Sequence, residues 1–213
     1  MKHAASRELY GYWQRVRRGR PAPDRSEIEP SDIRRILGDT FILEVAAPFE
    51  YRFRLAGTRV CAAFGREMKG KNFMDFWTGK DRETMATLFS AISEDAAAAV
   101  IGVQGHAAHG RDLAFELLCL PVRQKGEGYN RVIGTLAPMD DPYWIGLHPI
   151  MKQQITSLRL IWPDEKPSFL LRGADLADEI PETPMFQPAM SRGVADGHRR
   201  VGHLTVYEGG KEH

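Results

Sequence analysis

Cysteine is scarce in this 213-residue chain: Cys61 and Cys119 stand far apart, each in an apolar stretch. That excludes a disulfide scaffold, and each residue reads as a buried free thiol. An excess of one charge is lacking too. There are 29 Lys and Arg against 28 Asp and Glu, a formal net charge of +1, so no overall field draws the chain to nucleic acid or anionic lipid. No apolar run is long enough to span a bilayer, and the opening residues, Met1-Lys2-His3-Ala4-Ala5-Ser6-Arg7-Glu8, turn polar at once. Neither a membrane span nor a signal peptide is expected, and the cytoplasm is the expected compartment. Catalytic signatures are also missing: the chain has no G-x-S-x-G, no G-x-x-x-x-G-K-[ST] and no H-E-x-x-H, and its carboxylates are scattered. An enzyme is therefore not expected.

What is present is the material of a soluble globular fold. Hydrophobic residues make up 43% and charged residues 27%, enough for one real core with extensions. Leu9, Tyr12, Trp13 and Val16 recur at helical spacing, and Gly19 and Pro21 stop that first helix. Ser26 to Glu29 resembles a capping box, with Ser31 or Asp32 as alternative caps, before the apolar positions Ile33, Ile36 and Leu37. Phe41 to Val45 is a short apolar run of β-formers. Tyr51-Arg52-Phe53-Arg54-Leu55 then alternates strictly, the pattern of a strand with one buried face, and the two runs lie at hairpin distance.

From Gly57 to Trp77 the pattern is helical but broken. Thr58 is the expected cap of a short helix bearing Val60, Cys61 and Phe64, and Asn72 of a single turn bearing Phe73, Phe76 and Trp77. A longer helix follows, capped by Thr78 or Asp81, with Met85, Leu88, Phe89 and Ile92 on one stripe. Residues 99–103, 113–120 and 131–136 are expected strands, joined at the turn-rich pieces His109-Gly110-Arg111-Asp112 and Lys125-Gly126-Glu127-Gly128. The run from His148 to Trp162 is apolar enough to pack and is compatible with helix or strand. Beyond it prolines and acidic residues dominate, and an irregular tail is expected, apart from the short apolar piece Leu204-Thr205-Val206-Tyr207, which is compatible with docking on the body or adding a strand to an edge.

The order β-β-α-α-α-β-β-β resembles the PAS fold, and the wording resembles a subgroup of stand-alone bacterial PAS-like proteins of alphaproteobacterial type. The pieces that carry the resemblance are Tyr12-Trp13-Gln14-Arg15 with Gly19-Arg20-Pro21-Ala22-Pro23, and Ile33-Arg34-Arg35-Ile36-Leu37. To these are added Phe53-Arg54-Leu55-Ala56-Gly57-Thr58 and Phe64-Gly65-Arg66-Glu67-Met68-Lys69-Gly70. The resemblance spans roughly residues 7 to 140. It implies an α+β fold with a five-stranded antiparallel sheet, helices on one face, an N-terminal helix and an irregular C-terminal tail. The expected division is 1–38 as a helical extension, 39–140 as the PAS-like domain and 141–213 as a C-terminal extension. The implied role is a regulatory or sensory module, with no catalytic residue carried over. Lacking an output region of its own, it is expected to act through a signalling partner and as a homodimer.

Candidate sites follow from both readings. Phe64, Phe73, Phe76, Trp77, Met85 and Phe89 are the candidate lining of a small-molecule cavity under the central helices, and core filling is the competing role for each. Leu9, Tyr12, Trp13 and Val16 are the candidate partner or dimer contact. Arg15, Arg17, Arg18 and Arg20, beside Trp13, are the candidate site in the alternative reading, a nucleotide- or nucleic-acid-binding protein. His106 and His109 form an H-x-x-H pair in an expected loop with no completing ligand set, so no metal is expected. The long helix carries no His for haem, and the surroundings of Cys61 do not resemble the photoreactive Cys motif of light-sensing PAS domains. No cofactor is expected, and the candidate cavity is compatible with an unidentified small molecule.

Overall fold

The computed structural model describes residues 1–47, 49–126, 128–163, 200–201 and 204–205. The chain divides into two units, Met1–Leu171 and Arg172–His213. In the second unit the described residues form a two-stranded antiparallel ladder, Arg200–Val201 with Leu204–Thr205. The expected irregular tail lies otherwise outside the described residues.

The first unit is built on one antiparallel sheet. Its strands are β1 (Thr40–Ala47), β2 (Glu50–Ala56), β3 (Ala98–Ala107), β4 (Asp112–Gln124), β5 (Gly128–Pro138) and β6 (Ile150–Ile161), in the spatial order β2-β1-β5-β4-β3-β6. The expected α+β architecture is present, with one correction: the sheet has six strands. The undecided run after His148 is β6, which pairs with β3 along most of its length. Periodicity could not decide it because β6 is an edge strand whose pattern is broken by bulges near Met151 and Thr156, so its buried positions fall at 150, 153 and 161.

Pairing across the sheet follows the side chains. In β2, Tyr51 and Phe53 are buried while Arg52 and Arg54 face water. Glu44 of β1 bonds Arg131 of β5 at 2.9 Å and approaches Arg54 of β2 at 3.4 Å. Opposite charges thus sit on neighbouring strands where the register places them. The free edge of β2 is covered by the 70–72 segment: the Phe53 N–H donates to Lys71 O, the Gly70 N–H to Phe53 O, and the Tyr51 N–H to Asn72 Oδ1.

Helices α2 (Thr58–Ala63) and α3 (Gly79–Asp95), with a 3₁₀ turn at Phe73–Phe76, cover one face of the sheet. Asn72 caps that turn, as the sequence predicts, by accepting from the Met74 N–H. At α2 the expectation shifts by one residue: Gly57, not Thr58, is the N-cap. Asp24 and Glu27, rather than Ser26 and Glu29, form the capping box in the preceding segment. Glu27 there also bonds Arg20, seven residues earlier, at 2.6 Å.

The other face is covered by α1 (Ala4–Arg17). Leu9, Tyr10, Tyr12 and Trp13 are buried against Leu118, Leu120 and Ile133. Full burial of each large apolar side chain contributes about 2 kcal/mol. Polar contacts set the helix in place. Glu116, itself buried, accepts from the Lys2 and His3 N–H groups at 2.6 and 3.0 Å, and Ser6 Oγ lies 3.2 Å from Thr135 Oγ1. The helix ends where Arg18 and Gly19 both turn left-handed.

Candidate functional site

Phe64, Phe73, Phe76, Trp77, Met85 and Phe89 lie together in the core, and the space between them is occupied by their own side chains. Phe64 lies 4.3 Å from Phe76 between centroids, and Phe73 packs on Trp77, Phe89, Phe41 and Phe53 at 5.6–6.1 Å. Met85 is fully buried among them. Such edge and offset arrangements are those that aromatic quadrupoles favour. Two buried polar groups interrupt this apolar interior. Trp77 Nε1 and both amide atoms of Gln153 have no hydrogen-bond partner among the described residues. The register with β3 puts Gln153 opposite Gly105, on the helix-covered face. An apolar group of similar size relieves such a group of its desolvation penalty. Gln153→Leu is therefore expected to raise stability by about 1 kcal/mol in a denaturant titration; a loss of that size would show the amide to be paired in solution.

Open space lies at the rim of this core. A pocket of about 180 Å³ is bounded by Val45, Ala46 and Ala47 of β1, Tyr51 of β2, and Phe89, Ser90, Ser93 and Glu94 of α3. Tyr51 stacks on Phe89 at 4.2 Å with the rings 23° apart. Burial raises the Tyr51 phenol above its ordinary pKa, and the Glu94 carboxylate adds to the rise. Ser93 Oγ is shut off from solvent and has no hydrogen-bond partner among the described residues. Of the predicted cavity residues, Phe89 is the one that reaches this pocket.

The predicted partner face lies differently. Leu9, Tyr12 and Trp13 are turned onto the chain's own sheet, and the Trp13 indole N–H donates to Pro121 O at 2.8 Å. Val16 remains half-buried. Beside it a larger groove, about 420 Å³, is lined by Tyr12, Arg15, Val16, Arg18, Glu27, Glu29 and Asp32. The Tyr12 hydroxyl accepts there from the Glu29 N–H at 2.8 Å, and burial holds its pKa above the ordinary value.

The arginine cluster is largely spent inside the fold. Arg17 sits 5.1 Å above the Trp13 ring, bonds Gln14 Oε1 and donates to Arg20 O. Arg20 donates to Val16 O and Arg17 O and pairs with Glu27. Arg15 lies 5.9 Å from the Tyr12 ring centroid. Three carboxylates share the groove with Arg15 and Arg18, which offsets the field a polyanion needs.

His106 is on β3 rather than in a loop, and its Nδ1 lies 2.8 Å from Asp112 Oδ1 across the β3–β4 pair. Among the described residues no group of three or more His, Cys, Asp or Glu side chains is placed to hold a metal ion. Cys61 and Cys119 are both free, and burial pushes the Cys119 thiol far above its ordinary pKa. Among the described residues no helix is long and apolar enough to cross a membrane.

Exposed apolar side chains, which sequence reasoning missed, concentrate in one stretch. Five of the seven large exposed hydrophobics among the described residues fall between 139 and 158: Met139, Tyr143, Leu147, Met151 and Leu158. Tyr143 and Leu147 flank Trp144, whose carbonyl accepts from the Leu147 and His148 N–H groups and whose ring is buried in the core. The segment is thus anchored at its middle and apolar on its outside.

An antiparallel sheet backed by helices on both faces, with clefts at its rim, defines an α+β module. A family model described as a PAS domain matches residues 1–137, and the chain belongs to that family. Its order β2-β1-β5-β4-β3 carries the fold, and β6 lies outside the matched stretch. No curated protein matches the chain. Solved structures similar to it include the Rhodobacter sphaeroides LOV protein, 14% identical over 55% of this chain and 71% of that one, with a TM-score of 0.39. The fungal blue-light photoreceptor Vivid is 17% identical over 61% of this chain and 94% of its own, with a TM-score of 0.41. The LOV domain of the blue-light photoreceptor Aureochrome1 is 11% identical over 52% and 82%, with a TM-score of 0.40.

Proposed function

We propose that this chain is a cytoplasmic sensory or regulatory PAS module that acts through protein–protein contact, as a homodimer and on a signalling partner, with a small molecule as its input and no catalysis of its own. The observation that supports it most directly is the run of exposed apolar side chains along the segment from Met139 to Leu158, five of the seven large exposed hydrophobics of the described residues. Exposed apolar residues scattered singly need no explanation, whereas five on one segment make that segment the candidate contact. Val16 is the member of the predicted dimer face still open to a partner, because Leu9, Tyr12 and Trp13 are used within the chain. The engagement of Arg17 and Arg20 inside the fold speaks against the nucleotide or nucleic-acid alternative.

Sedimentation equilibrium at micromolar concentration is the test. The wild-type chain is expected to run as a dimer. The triple variant Tyr143→Ser, Leu147→Ser, Met151→Ser is expected to run as a monomer with its melting temperature within a few degrees of wild type, because these side chains are exposed. A wild-type chain that stays monomeric overturns the homodimer, and a triple variant that stays dimeric moves the interface elsewhere.

A further inference from the structure

We propose that the groove between the last turn of α1 and the 27–32 segment binds a small zwitterion, an amino acid or short peptide. Its carboxylate is held by Arg15 and Arg18, and its ammonium group by Glu29 and Asp32. The groove measures about 420 Å³, within the range of small-molecule sites. One wall is helical: Arg15 and Val16 stand in the last turn of α1, and Arg18 follows as its left-handed C-cap. The other wall comes from two 3₁₀ turns, Arg25–Glu27 and Pro30–Ile33, with Glu29 between them; it brings Glu27, Glu29 and Asp32 to the groove.

Charge selects the class. Glu27 is already answered, because it pairs with Arg20 at 2.6 Å. Two cations remain, Arg15 and Arg18, and two anions, Glu29 and Asp32, all four exposed to an incoming molecule. Among the described residues none of the four takes part in an ion pair, although all border the same groove. A simple anion drawn to the arginines meets the two carboxylates, and a simple cation meets the arginines. A molecule that carries both charges satisfies the two walls at once. The chemistry of the groups suits it: a guanidinium matches a carboxylate with paired N–H donors, and an ammonium group brings three donors to carboxylate oxygens.

The walls are held at a set distance before any ligand arrives. Tyr12 and Trp13 are buried beneath one, and Ile28 and Ile33 beneath the other. The Tyr12 hydroxyl ties the two together by accepting from the Glu29 N–H at 2.8 Å. The unpaired charges gather about this same side chain. Arg15 lies 5.9 Å from the Tyr12 ring centroid, and the charges of Asp32, Glu29 and Arg15 all act on its phenol. Bending the side chains across the groove to pair with one another returns little, because exposed ion pairs are weak and cost side-chain freedom. A preorganised site of this kind loses less on binding. Val16, half-buried in the groove, offers a small apolar surface to a ligand side chain. Use of the zwitterion as a signal input rests on the sensory reading above; the binding does not.

The test is a titration of the full chain with L-leucine, followed by ¹H–¹⁵N correlation spectra. The controls are 3-methylbutylammonium, which is leucine without its carboxylate, and 4-methylpentanoate, which is leucine without its ammonium group. L-leucylglycine carries the same two charges farther apart, and the tighter of the two zwitterions tells a free amino acid from a peptide. Expected are shifts confined to residues 12–18 and 27–32 and a dissociation constant on the order of a millimolar, since the groove is open to water. Each control is expected to bind about tenfold more weakly. Arg15→Gln with Arg18→Gln is expected to weaken leucine about tenfold and to leave 3-methylbutylammonium no weaker; Glu29→Gln with Asp32→Asn does the same to leucine and leaves 4-methylpentanoate no weaker. All four side chains are exposed, so these variants are expected to fold. Leucine binding equal to that of either control overturns the proposal. So do double variants that bind leucine like wild type, shifts that fall elsewhere, or no binding of either zwitterion. Translational diffusion measured on the same samples reports dimerisation separately. A monomer that binds a zwitterion keeps this site while the homodimer fails, and a dimer that ignores both zwitterions does the reverse.

Discussion

Gly57→Ala is expected to destabilise the protein by about 3 kcal/mol or more and to lower its melting temperature by roughly 6–12 °C. The reason is steric. A Cβ built on Gly57 stands 1.9 Å from the Leu37 carbonyl oxygen and 2.4 Å from that of Gly38. Both are backbone atoms, so no rotamer change relieves the overlap. Gly57 has φ −70° and ψ 165°, a conformation any residue adopts, so the cost is one of close approach and not of backbone strain. The approach is held from several sides. The Gly57 N–H donates to Thr40 O at 2.8 Å, and its own carbonyl accepts the Cys61 N–H that opens α2. Arg59, two residues on, forms a double bond of charge with the buried carboxylate of Asp39 at 2.6 and 2.5 Å. An added methyl group must part the 37–39 turn from α2 and stretch all of these together. Gly11→Ala is the matched control. The nearest atom to its Cβ is Arg15 Nη1 at 3.9 Å, and it lies inside α1, so alanine there is expected to be neutral or stabilising. Calorimetry of the two variants beside wild type decides the matter. A Gly57→Ala loss below 1 kcal/mol would mean that the turn and α2 are not in contact in solution.

Trp13→Ala is expected to cost about 3–5 kcal/mol. The effect should be independent of protein concentration, because the side chain packs within its own chain. Trp13 is 2% exposed, its indole N–H is bonded to Pro121 O on β4, and Arg17 lies across its ring. Truncation empties a site between α1 and the sheet, takes the indole donor from the Pro121 carbonyl and removes the surface on which Arg17 rests. Trp13→Phe, which keeps most of the volume and removes the N–H donor, is expected to lose about 1–2 kcal/mol. Denaturant titrations at two protein concentrations a hundredfold apart give the discriminating readout. A midpoint that moves with concentration in wild type and ceases to move in Trp13→Ala would return Trp13 to an interface between chains.

Where a reading of the sequence succeeded, a periodic pattern met a single environment. Tyr51 to Leu55 alternates because β2 has one face on the core, and Met85, Leu88, Phe89 and Ile92 recur every three or four residues because α3 lies on the sheet along one stripe. Asn72 could be assigned as a cap because its partner, the Met74 N–H, is two residues away. The failures have the opposite cause. Ser26 looked like a cap until Asp24, bonded to Arg123 ninety-nine residues away, took that role. The run after His148 hid β6, because bulges shift its register and, among the described residues, its outer side faces no partner strand. Each depends on what a distant segment does, and no local window contains that information.

The candidate site divides along the same line. The aromatic residues of the central helices were found, since apolar side chains at helical spacing announce burial. That their rings fill the space between them is a matter of volumes, decided only when the helices are laid on the sheet. The pocket at Val45, Tyr51, Ser93 and Glu94 gave no sign in the chain, because its walls come from residues more than forty positions apart. Composition and patterning alone determined an α+β order of elements with near-neutral charge, because hydrophobic period and charge balance are properties of the chain itself, and the PAS family entered through the resemblance of particular sequence pieces. The sixth strand, the side of the sheet that α1 covers, the internal use of Arg17 and Arg20 and the location of open space were decided by tertiary structure. Each is the outcome of a competition between segments for the same surface, and such a competition exists only once the chain has folded.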